Sequence, residues 1–574
     1  MLKRILLTLT FAVSCSAALA VENKSADVIY TNARIYTVNR AQPWANAMAI
    51  KGNRIVAVGD ASMVKAYRGK QTRIEDLTDK LVLPGLVEEH VHPDMASENL
   101  VNINLQPSEM SWQEQQQGIV DYAKSHPGED WLMGGMINWL NDNGNNIDGT
   151  DSPSHFSTLD ALVPDRPLMM WDVGGHAVLL NKAGLTQLGI TASTPNPAGG
   201  VIVKDSDGQP TGVLRETAAN MAYERALDGQ PRGRELIESG LKPVLKRLSE
   251  FGITSISDSW GRDYMVKAYR EMALANELPV RIKVYVSDPL EWVDEQWRKG
   301  AQSIIDNHED YRVGNWLRAD GVKFVLDGSA GGQTLIMVEP YEGTTDQHGG
   351  PWRNDPEEFA KKLLEYDARG LTVKAHAVGS QTIRTVLDAM EAVRARGSKQ
   401  RHSVAHTVFV HPDDRERFKT LDVIAEFSPY FWYPTPSWDM LRHELGERRL
   451  EWVFPFKTFT DMGVKVSVGS DWPVVDSPNP FPAIETMISR QLPGGSEVTG
   501  PGAAQRVSLQ TAIHALTMGG AYAQGREHLI GSLEAGKLAD FIVLDQNLFE
   551  IDVQAIHKTR VLKTVVDGRT VFER

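Results

Sequence analysis

Eight apolar runs of strand length, separated by helix-like segments, constrain the fold of this chain more than any other feature. The first is "LVEEHVHP", and the others lie at residues 252–260, 279–288, 320–329, 371–380, 402–410, 422–431 and 464–473. Segments such as "PEEFAKKLLEYDARG" lie between them, with apolar residues at helical spacing and glycine at the C-terminal end. Eight strands that alternate with helices predict a (β/α)8 TIM barrel of the α/β class.

The rest of the chain predicts two additions to the barrel. Residues 26–60 and the tail alternate apolar and polar residues in strand fashion, so we expect them to be halves of one small β unit. Residues 95–250 are too long for a single βα step and contain apolar runs of their own. This block is predicted to be an inserted subdomain at the mouth of the barrel.

The first twenty residues read as a secretory signal peptide. Lys3 and Arg4 precede an apolar segment, and small residues ending at Ala20 follow it. The segment is too short to span a bilayer, and it contains the only cysteine, Cys15. We therefore expect an exported protein, periplasmic or secreted, without disulfides or an integral membrane segment; a lipoprotein anchored through Cys15 is the rival reading.

Histidines recur where the predicted barrel strands end. In "VEEHVHPD", His90 and His92 share one face of the first strand, because successive strand side chains point to opposite faces. The chemistry of such barrels lies at the C-terminal ends of the strands. Six polar residues interrupt apolar runs in these positions: His90, His92, Lys323, His376, His406 and Asp471.

Each of these residues also has a purely structural interpretation. His376 or His406 could be a hydrogen-bonded core histidine, and Asp471 could cap a helix. Lys323 raises two alternatives, which the residues alone leave balanced. Its stem could pack while its amine reaches solvent or pairs with Asp320, or a neutral amine could react with carbon dioxide to give an anionic carbamate that bridges two cations.

Several motifs together resemble the amidohydrolase superfamily, in its amidohydrolase-3 branch of YtcJ-like and N-substituted formamide deformylase-like metal-dependent hydrolases. The resemblance covers the chain from about residue 26 to its end, and its motifs are "LPGLVEEHVHPD", "GVKFVLDGS", "KAHAVGSQTI", "VAHTV", "GSDWPVVDSPNPF" and "GSLEAGKLADFIVLD". It implies a composite β-sandwich of residues 26–84 and 525–574, beside a barrel of residues 85–524.

The same resemblance implies a role for each candidate residue. His90 and His92 would bind a first divalent metal, and His376 and His406 a second, with zinc as the expected ion. Lys323 would be the carboxylated bridging lysine, and Asp471 would be both a ligand and the general base. The segment "GGHAVLLNKAGL" resembles part of the family's inserted region, which makes His176 either a substrate contact or a buried structural histidine.

The residues favour hydrolysis of a non-peptide C–N bond, such as an amide or formamide, by a metal-activated hydroxide. Two ions that share a solvent molecule lower its pKa toward neutrality from about 15.7. A deaminase on this scaffold would carry H-x-x-E after the fifth strand, where this chain has "HAVGSQ". Two alternatives stay open: an ester or lactone hydrolase with the same centre, and a non-catalytic exported regulatory or binding protein.

The substrate is predicted only as a small molecule. The net charge of −14 does not suggest a nucleic acid partner, and the sequence is compatible with a homo-oligomer. The segment "SPYFWYPTPSW" after the seventh strand is either an aromatic pocket wall or core packing.

Overall fold

The computed structural model describes residues 25–105, 110–127, 131–137, 156–172, 176–227, 236–288, 295–328, 334–346, 348–434 and 436–574. The predicted signal peptide at residues 1–20, with Cys15, lies outside the described residues. None of the helices in these ranges is long and apolar enough to cross a membrane.

The described strands, in chain order, are Val28–Thr31 (β1), Arg34–Tyr36 (β2), Trp44–Ala45 (β3), Ala47–Lys51 (β4), Arg54–Gly59 (β5), Arg73–Asp76 (β6), Leu81–Pro84 (β7), Leu86–Val91 (β8), Ile103–Asn104 (β9), Leu132–Ile137 (β10), Leu168–Asp172 (β11), Ala177–Leu180 (β12), Gly200–Lys204 (β13), Pro210–Glu216 (β14), Ile253–Gly261 (β15), Arg281–Ser287 (β16), Leu317–Val325 (β17), Thr372–Ala377 (β18), Ser403–His406 (β19), Ile424–Phe427 (β20), Val466–Val468 (β21), Phe541–Leu544 (β22), Val561–Val566 (β23) and Arg569–Glu573 (β24).

The described α-helices are Ala61–Lys65 (α1), Pro93–Val101 (α2), Trp112–Ser125 (α3), Ser157–Asp160 (α4), Lys182–Gln187 (α5), Thr217–Leu227 (α6), Lys242–Glu250 (α7), Asp263–Leu274 (α8), Glu295–Asp306 (α9), Pro356–Ala368 (α10), Ser380–Ala395 (α11), Arg415–Thr420 (α12), Pro436–Leu445 (α13), Glu447–Leu450 (α14), Phe456–Met462 (α15), Pro480–Ser489 (α16), Leu509–His514 (α17) and Gly520–Ala523 (α18). Two π-helical segments, Leu236–Leu241 and Ala515–Gly519, adjoin α7 and α17.

Eight strands form the central sheet, in the order β21-β20-β19-β18-β17-β16-β15-β8, and neighbouring strands are parallel. Backbone hydrogen bonds join the first strand to the last. Asp471 N donates to His90 O at 2.7 Å, and His92 N donates to Trp472 O at 2.9 Å. Each strand coincides with one of the eight apolar runs, so the predicted (β/α)8 barrel is confirmed.

The helices around the barrel follow the predicted periodicity. Helix α11 buries Ile383, Val386, Leu387, Met390 and Val393, which recur at helical spacing and therefore form one apolar face. Helix α10 begins after Asp355, whose side chain accepts hydrogen bonds from two backbone N–H groups of the first turn, and Pro356 takes the first position, where no N–H is needed. These local signals fix where the helices pack on the strands.

An inserted sheet of six strands lies between β8 and β15 in the chain, in the order β13-β14-β12-β11-β10-β9. It buries apolar clusters of its own, which include Met169, Leu180 and Leu214 on one face and Ile119, Leu168 and Met170 on the other. Apolar side chains thus cover both faces of this sheet. Strand β14 ends at Glu216, beside the cleft described below.

Both ends of the chain contribute to two further sheets. One has the order β5-β4-β1-β6 and the other β24-β23-β22-β7-β2-β3, in which β22 pairs antiparallel with β7. The buried guanidinium of Arg281, on barrel strand β16, donates to Asp540 at 2.7 and 2.9 Å and to Asp567 at 2.8 Å. This cluster joins the C-terminal segment to the barrel.

Candidate metal centre

All six predicted metal-site residues line one cleft at the C-terminal end of the barrel. His90 and His406 lie at the ends of β8 and β19, and Asp471 follows β21. His92 follows β8, while Lys323 and His376 lie near the ends of their strands. The cleft has a volume of about 1040 Å³, including the solvent at its open mouth.

Four contacts define the centre of the cleft. His90 Nε2 lies 3.0 Å from Lys323 Nζ and 3.4 Å from Asp471 Oδ1. Asp471 Oδ1 lies 3.0 Å from His92 Nε2, and Asp471 Oδ2 lies 3.9 Å from His406 Nδ1. Asp471 is therefore within reach of three imidazoles. Among the described residues, His90, His406 and Asp471 have ligand atoms within 4.8 Å of one another, as one metal ion requires.

His376 completes a row of three imidazoles with His406 and His90, but its Nε2 faces a backbone carbonyl. Its ring centroid lies 4.6 Å from that of His406, whose ring lies 4.7 Å from that of His90. His376 Nε2 lies 3.2 Å from the carbonyl oxygen of Gly328, which it can reach only as a donor. With Nε2 engaged in this way, Nδ1 is the nitrogen of His376 left for a ligand.

The donor set suits divalent ions of the zinc class. Burial is the largest cause that lowers the pKa of His90, His376 and His406 well below the usual value, so all three are neutral and offer a lone pair. His92 Nδ1 is buried without a hydrogen-bond partner in the described part of the chain. Neutral imidazoles, a carboxylate and an orphaned ring nitrogen fit a metal site better than a hydrogen-bonded core.

Lys323 is buried at the floor of the cleft. Burial and, after it, the charge of Lys374 lower the pKa of its amine to about 7. The alternative pairing with Asp320 does not form, because Asp320 instead faces Lys283 at 3.8 Å and Arg318 at 3.3 Å. The only hydrogen bond of Lys323 within the described ranges is the contact of its Nζ with His90 Nε2. An amine with a pKa near 7 is partly unprotonated at neutral pH, and the neutral amine is the form that reacts with carbon dioxide.

Two candidate ligands have unusual backbone geometry. His406 and Asp471 have φ angles of 70° and 66°, in the left-handed region that side chains other than glycine rarely adopt. Such residues cost on the order of 1–3 kcal/mol and concentrate at functional sites. Gly469 is required nearby, because a Cβ there would lie 2.4 Å from the backbone nitrogen of His90.

A buried carboxylate orients His90 from below. His90 Nδ1 donates to Glu426 Oε1, and Lys374 Nζ lies 2.5 Å from the other oxygen of Glu426. The backbone N–H groups of His90 and Ser470 both donate to Glu88 Oε1 at 2.8 Å. Glu426 therefore fixes the tautomer that presents Nε2 to the cleft, as carboxylates behind metal-binding histidines do.

His176, the predicted substrate contact, lies on the cleft wall. Its ring centroid is 5.6 Å from that of His376, and its Nδ1 donates to Glu216 Oε2 at 2.9 Å. Although burial opposes it, the charge of Glu216 raises the pKa of His176. Burial alone would raise the pKa of Glu216, but the charges of His176 and Arg353 lower this pKa to about 2.

Sequence reasoning missed several residues that line the cleft or lie buried behind it. Glu426 and Lys374 left a signal, since each interrupts an apolar strand run, whereas Tyr223 on helix α6 of the insertion left none. None of the described residues of the segment at 428–438 lines the cleft. Trp432 of this segment packs in the core, on Phe427 and Phe454. The aromatic wall instead consists of Trp171, Tyr223 and Trp260.

Comparison with known proteins places the chain among amidohydrolases, in agreement with the metal-binding chemistry of the cleft. A family model described as "Amidohydrolase family" matches residues 73–572. The chain is 28% identical to the protein LONG AFTER FAR-RED 3 from Arabidopsis thaliana, over 95% of this chain and 92% of that protein. It is 25% identical to the N-substituted formamide deformylase of Arthrobacter pascens, over 96% of this chain and 98% of that enzyme. A solved uncharacterized metal-dependent hydrolase from Pyrococcus horikoshii OT3 shares the fold, with a TM-score of 0.71 and 22% identity over 92% of this chain and 99% of that one.

Proposed function

Because this chain belongs to the amidohydrolase family, as its motifs predicted, we propose that it is a metal-dependent hydrolase of a non-peptide carbon–nitrogen bond of the amide or formamide type. One observation carries the proposal: six side chains from five barrel strands and the segments after them converge in a single cleft. The similarity to an N-substituted formamide deformylase supports the choice of bond.

We propose two divalent ions, zinc by preference, held by the six side chains with Lys323 carboxylated between them. His90 and His92 would bind the first ion, and His376 and His406 the second. Two cations close together repel strongly in a site of low dielectric, and an unmodified Lys323 would add a third positive charge. A carbamate on its buried amine would replace that charge with a bridging anion.

Asp471 is the proposed proton carrier. It accepts a proton from the attacking water, whose oxygen bonds to the carbonyl carbon, and it returns a proton to the leaving nitrogen as the C–N bond breaks. One water is consumed, and the products are a carboxylic acid and an amine. The two bound ions would supply an acidified water and a polarised carbonyl.

We also propose that the protein is exported, on the basis of its first twenty residues. Protein recovered from its host should begin at Val21. An intact Met1 in a cytoplasmic fraction would contradict export, and a diacylated Cys15 would place the protein on a membrane surface instead.

The reaction class can be tested with the purified, zinc-loaded protein. We expect amine and carboxylate release from at least one formamide or N-acyl amino acid, and no ammonia release from adenine, guanine or cytosine. Asp471→Asn should lower kcat at least about 100-fold, since proton transfer contributes on the order of 10²–10⁴. Asp461→Asn, at an exposed position on α15, is the matched control.

Three outcomes would overturn the proposal. Efficient deamination without amidase activity would make the protein a deaminase. Cleavage of lactones alone would favour the ester alternative. Full metal loading with no turnover of formamides, N-acyl amino acids, dipeptides or lactones would favour a non-catalytic binding protein.

A further inference from the structure

His176, Glu216 and Arg353 form a hydrogen-bonded cluster on the wall of the cleft. Glu216 Oε2 accepts from Arg353 Nη1 at 2.7 Å and from His176 Nδ1 at 2.9 Å, and Glu216 Oε1 accepts from Thr334 at 2.9 Å. Glu216 and His176 belong to the inserted subdomain, whereas the backbone nitrogen of Arg353 donates to Leu326, just after β17. The cluster is therefore held from both the barrel and the insertion.

Arg353 and His176 together carry more N–H donors than the carboxylate of Glu216 can accept. A guanidinium carries five N–H groups, and a charge that does not titrate away in proteins. The described residues engage only Nη1 of Arg353, and its Nε is buried without a partner. Arg353 and His176 both line the cleft, together with the six metal-site residues. An acceptor with two oxygens would complete this arrangement, because guanidinium binds carboxylate in a bidentate fork.

We propose that Arg353 and His176 form a binding site for a carboxylate of the substrate, so that the preferred substrates are amides of acids, with N-acyl amino acids as the simplest class. The inference rests on the proposed function and adds the substrate class to it. The His176 ring lies 5.6 Å from that of His376, so the carboxylate would lie only a few bonds from the scissile amide. The aromatic wall of Trp171, Tyr223 and Trp260 suits an apolar side chain on the same substrate.

A matched pair of substrates tests the proposal by turnover. N-formylphenylalanine and N-formyl-2-phenylethylamine share the scissile bond and the phenyl group, and they differ only in the carboxylate. We expect the zinc-loaded wild type to favour the first by at least tenfold in kcat/KM, chiefly through KM. Arg353→Gln should bring the ratio close to one, and Arg353→Lys should retain part of the preference.

A binding measurement separates this inference from the proposed function. Calorimetry should show that 3-phenylpropanoate binds the zinc-loaded wild type at least tenfold more tightly than 3-phenylpropanamide. A carboxylate that binds only to the metal would keep this advantage in Arg353→Gln, and that result would overturn the inference. Loss of the advantage in Arg353→Gln without any amide turnover would sink the proposed function and leave the carboxylate site supported.

A purely structural role for the cluster makes a different prediction. If Arg353 only ties the insertion to the barrel, Arg353→Gln would lower the melting temperature and leave both the substrate ratio and the binding ratio at their wild-type values. Arg396→Gln, at an exposed position beyond the end of α11, is the control and should change neither ratio. If Arg353→Gln fails to fold, the same ratios measured in Arg353→Lys and His176→Gln decide the question, since wild-type values in both would contradict a carboxylate site.

Discussion

At the scale of single residues, a carboxylate that touches no solvent lies behind the candidate metal centre. Glu426 receives the Nδ1 proton of His90 and faces the ammonium of Lys374. Burial outweighs the opposing charge of Lys374 and raises the pKa of Glu426 to about 7. Such a buried ion pair costs desolvation energy and is therefore weak evidence of a stabilising role. The pair of Glu426 and Lys374 is better explained by its position directly behind His90, a candidate metal ligand.

Glu426→Gln should weaken zinc binding by about 10–100-fold, the usual cost of changing a group behind a metal ligand. The amide oxygen of glutamine can still accept the His90 proton, so the loss reflects the missing negative charge rather than a missing side chain. Competition with a chelator measures the affinity. Glu451→Gln, at an exposed position, is the control, and an unchanged affinity in Glu426→Gln would show that Glu426 does not serve the metal.

At the scale of elements, the closure between β8 and β21 positions two ligands at once. The chain after β21 approaches β8 so closely that position 469 has no room for a side chain. His90 and Asp471 are then joined by a backbone hydrogen bond of 2.7 Å. The centre therefore depends on the last strand meeting the first in the correct register.

Gly469→Ala should destabilise the protein by about 1–3 kcal/mol, because a Cβ would overlap the backbone of His90 and force the two strands apart. The same variant should bind zinc less tightly, because His90 and Asp471 would be moved apart. Urea unfolding and metal titration measure both effects. Gly118→Ala in α3, where a Cβ meets only the ends of the Leu105 and Met110 side chains, should cost little. Equal behaviour of the two variants would contradict the proposed role of the closure.

The barrel could be predicted from the sequence because its strands are long apolar runs with helical segments between them. The six candidate ligands could be predicted because polar residues are conspicuous in such runs. Tyr223 and Arg353 could not be predicted, since both lie outside the barrel strands. Tyr223 reaches the cleft through the packing of the insertion, and Arg353 reaches it from the segment between β17 and α10. The segment at residues 428–438 was ambiguous for a different reason, because an aromatic sequence looks the same in a pocket wall and in a core.

At the scale of the whole molecule, Glu216 links the inserted subdomain to the barrel. Its pKa in the folded protein is about 2 and that of an unfolded glutamate about 4.5. The folded state therefore binds fewer protons, and Glu216 contributes stability that is present above pH 4.5 and lost as the pH falls toward 2. The charges of His176 and Arg353, which outweigh the cost of burial, are the source of that stability.

Glu216→Gln should lower the free energy of unfolding at pH 7 by about 3 kcal/mol at most, since one pKa unit corresponds to about 1.4 kcal/mol. The difference from the wild type should narrow by about 1 kcal/mol between pH 4.5 and 3.5, because an unfolded glutamate is already half protonated at pH 4.5. Urea unfolding at pH 7, 4.5 and 3.5 measures it, with Glu451→Gln as the exposed control. A difference that stays constant with pH would show that the carboxylate charge of Glu216 is not its source.

The proposed binuclear centre with a carboxylated Lys323 is tested most directly by metal content. Elemental mass spectrometry would measure it in the purified wild type and in Lys323→Ala. The binuclear centre predicts two divalent ions per wild-type chain, fewer than two in Lys323→Ala, and loss of turnover with the missing ion. A wild type that holds a single metal, together with a Lys323→Ala variant that keeps that metal and near-normal turnover, would contradict the carboxylated bridge and leave Lys323 a structural residue.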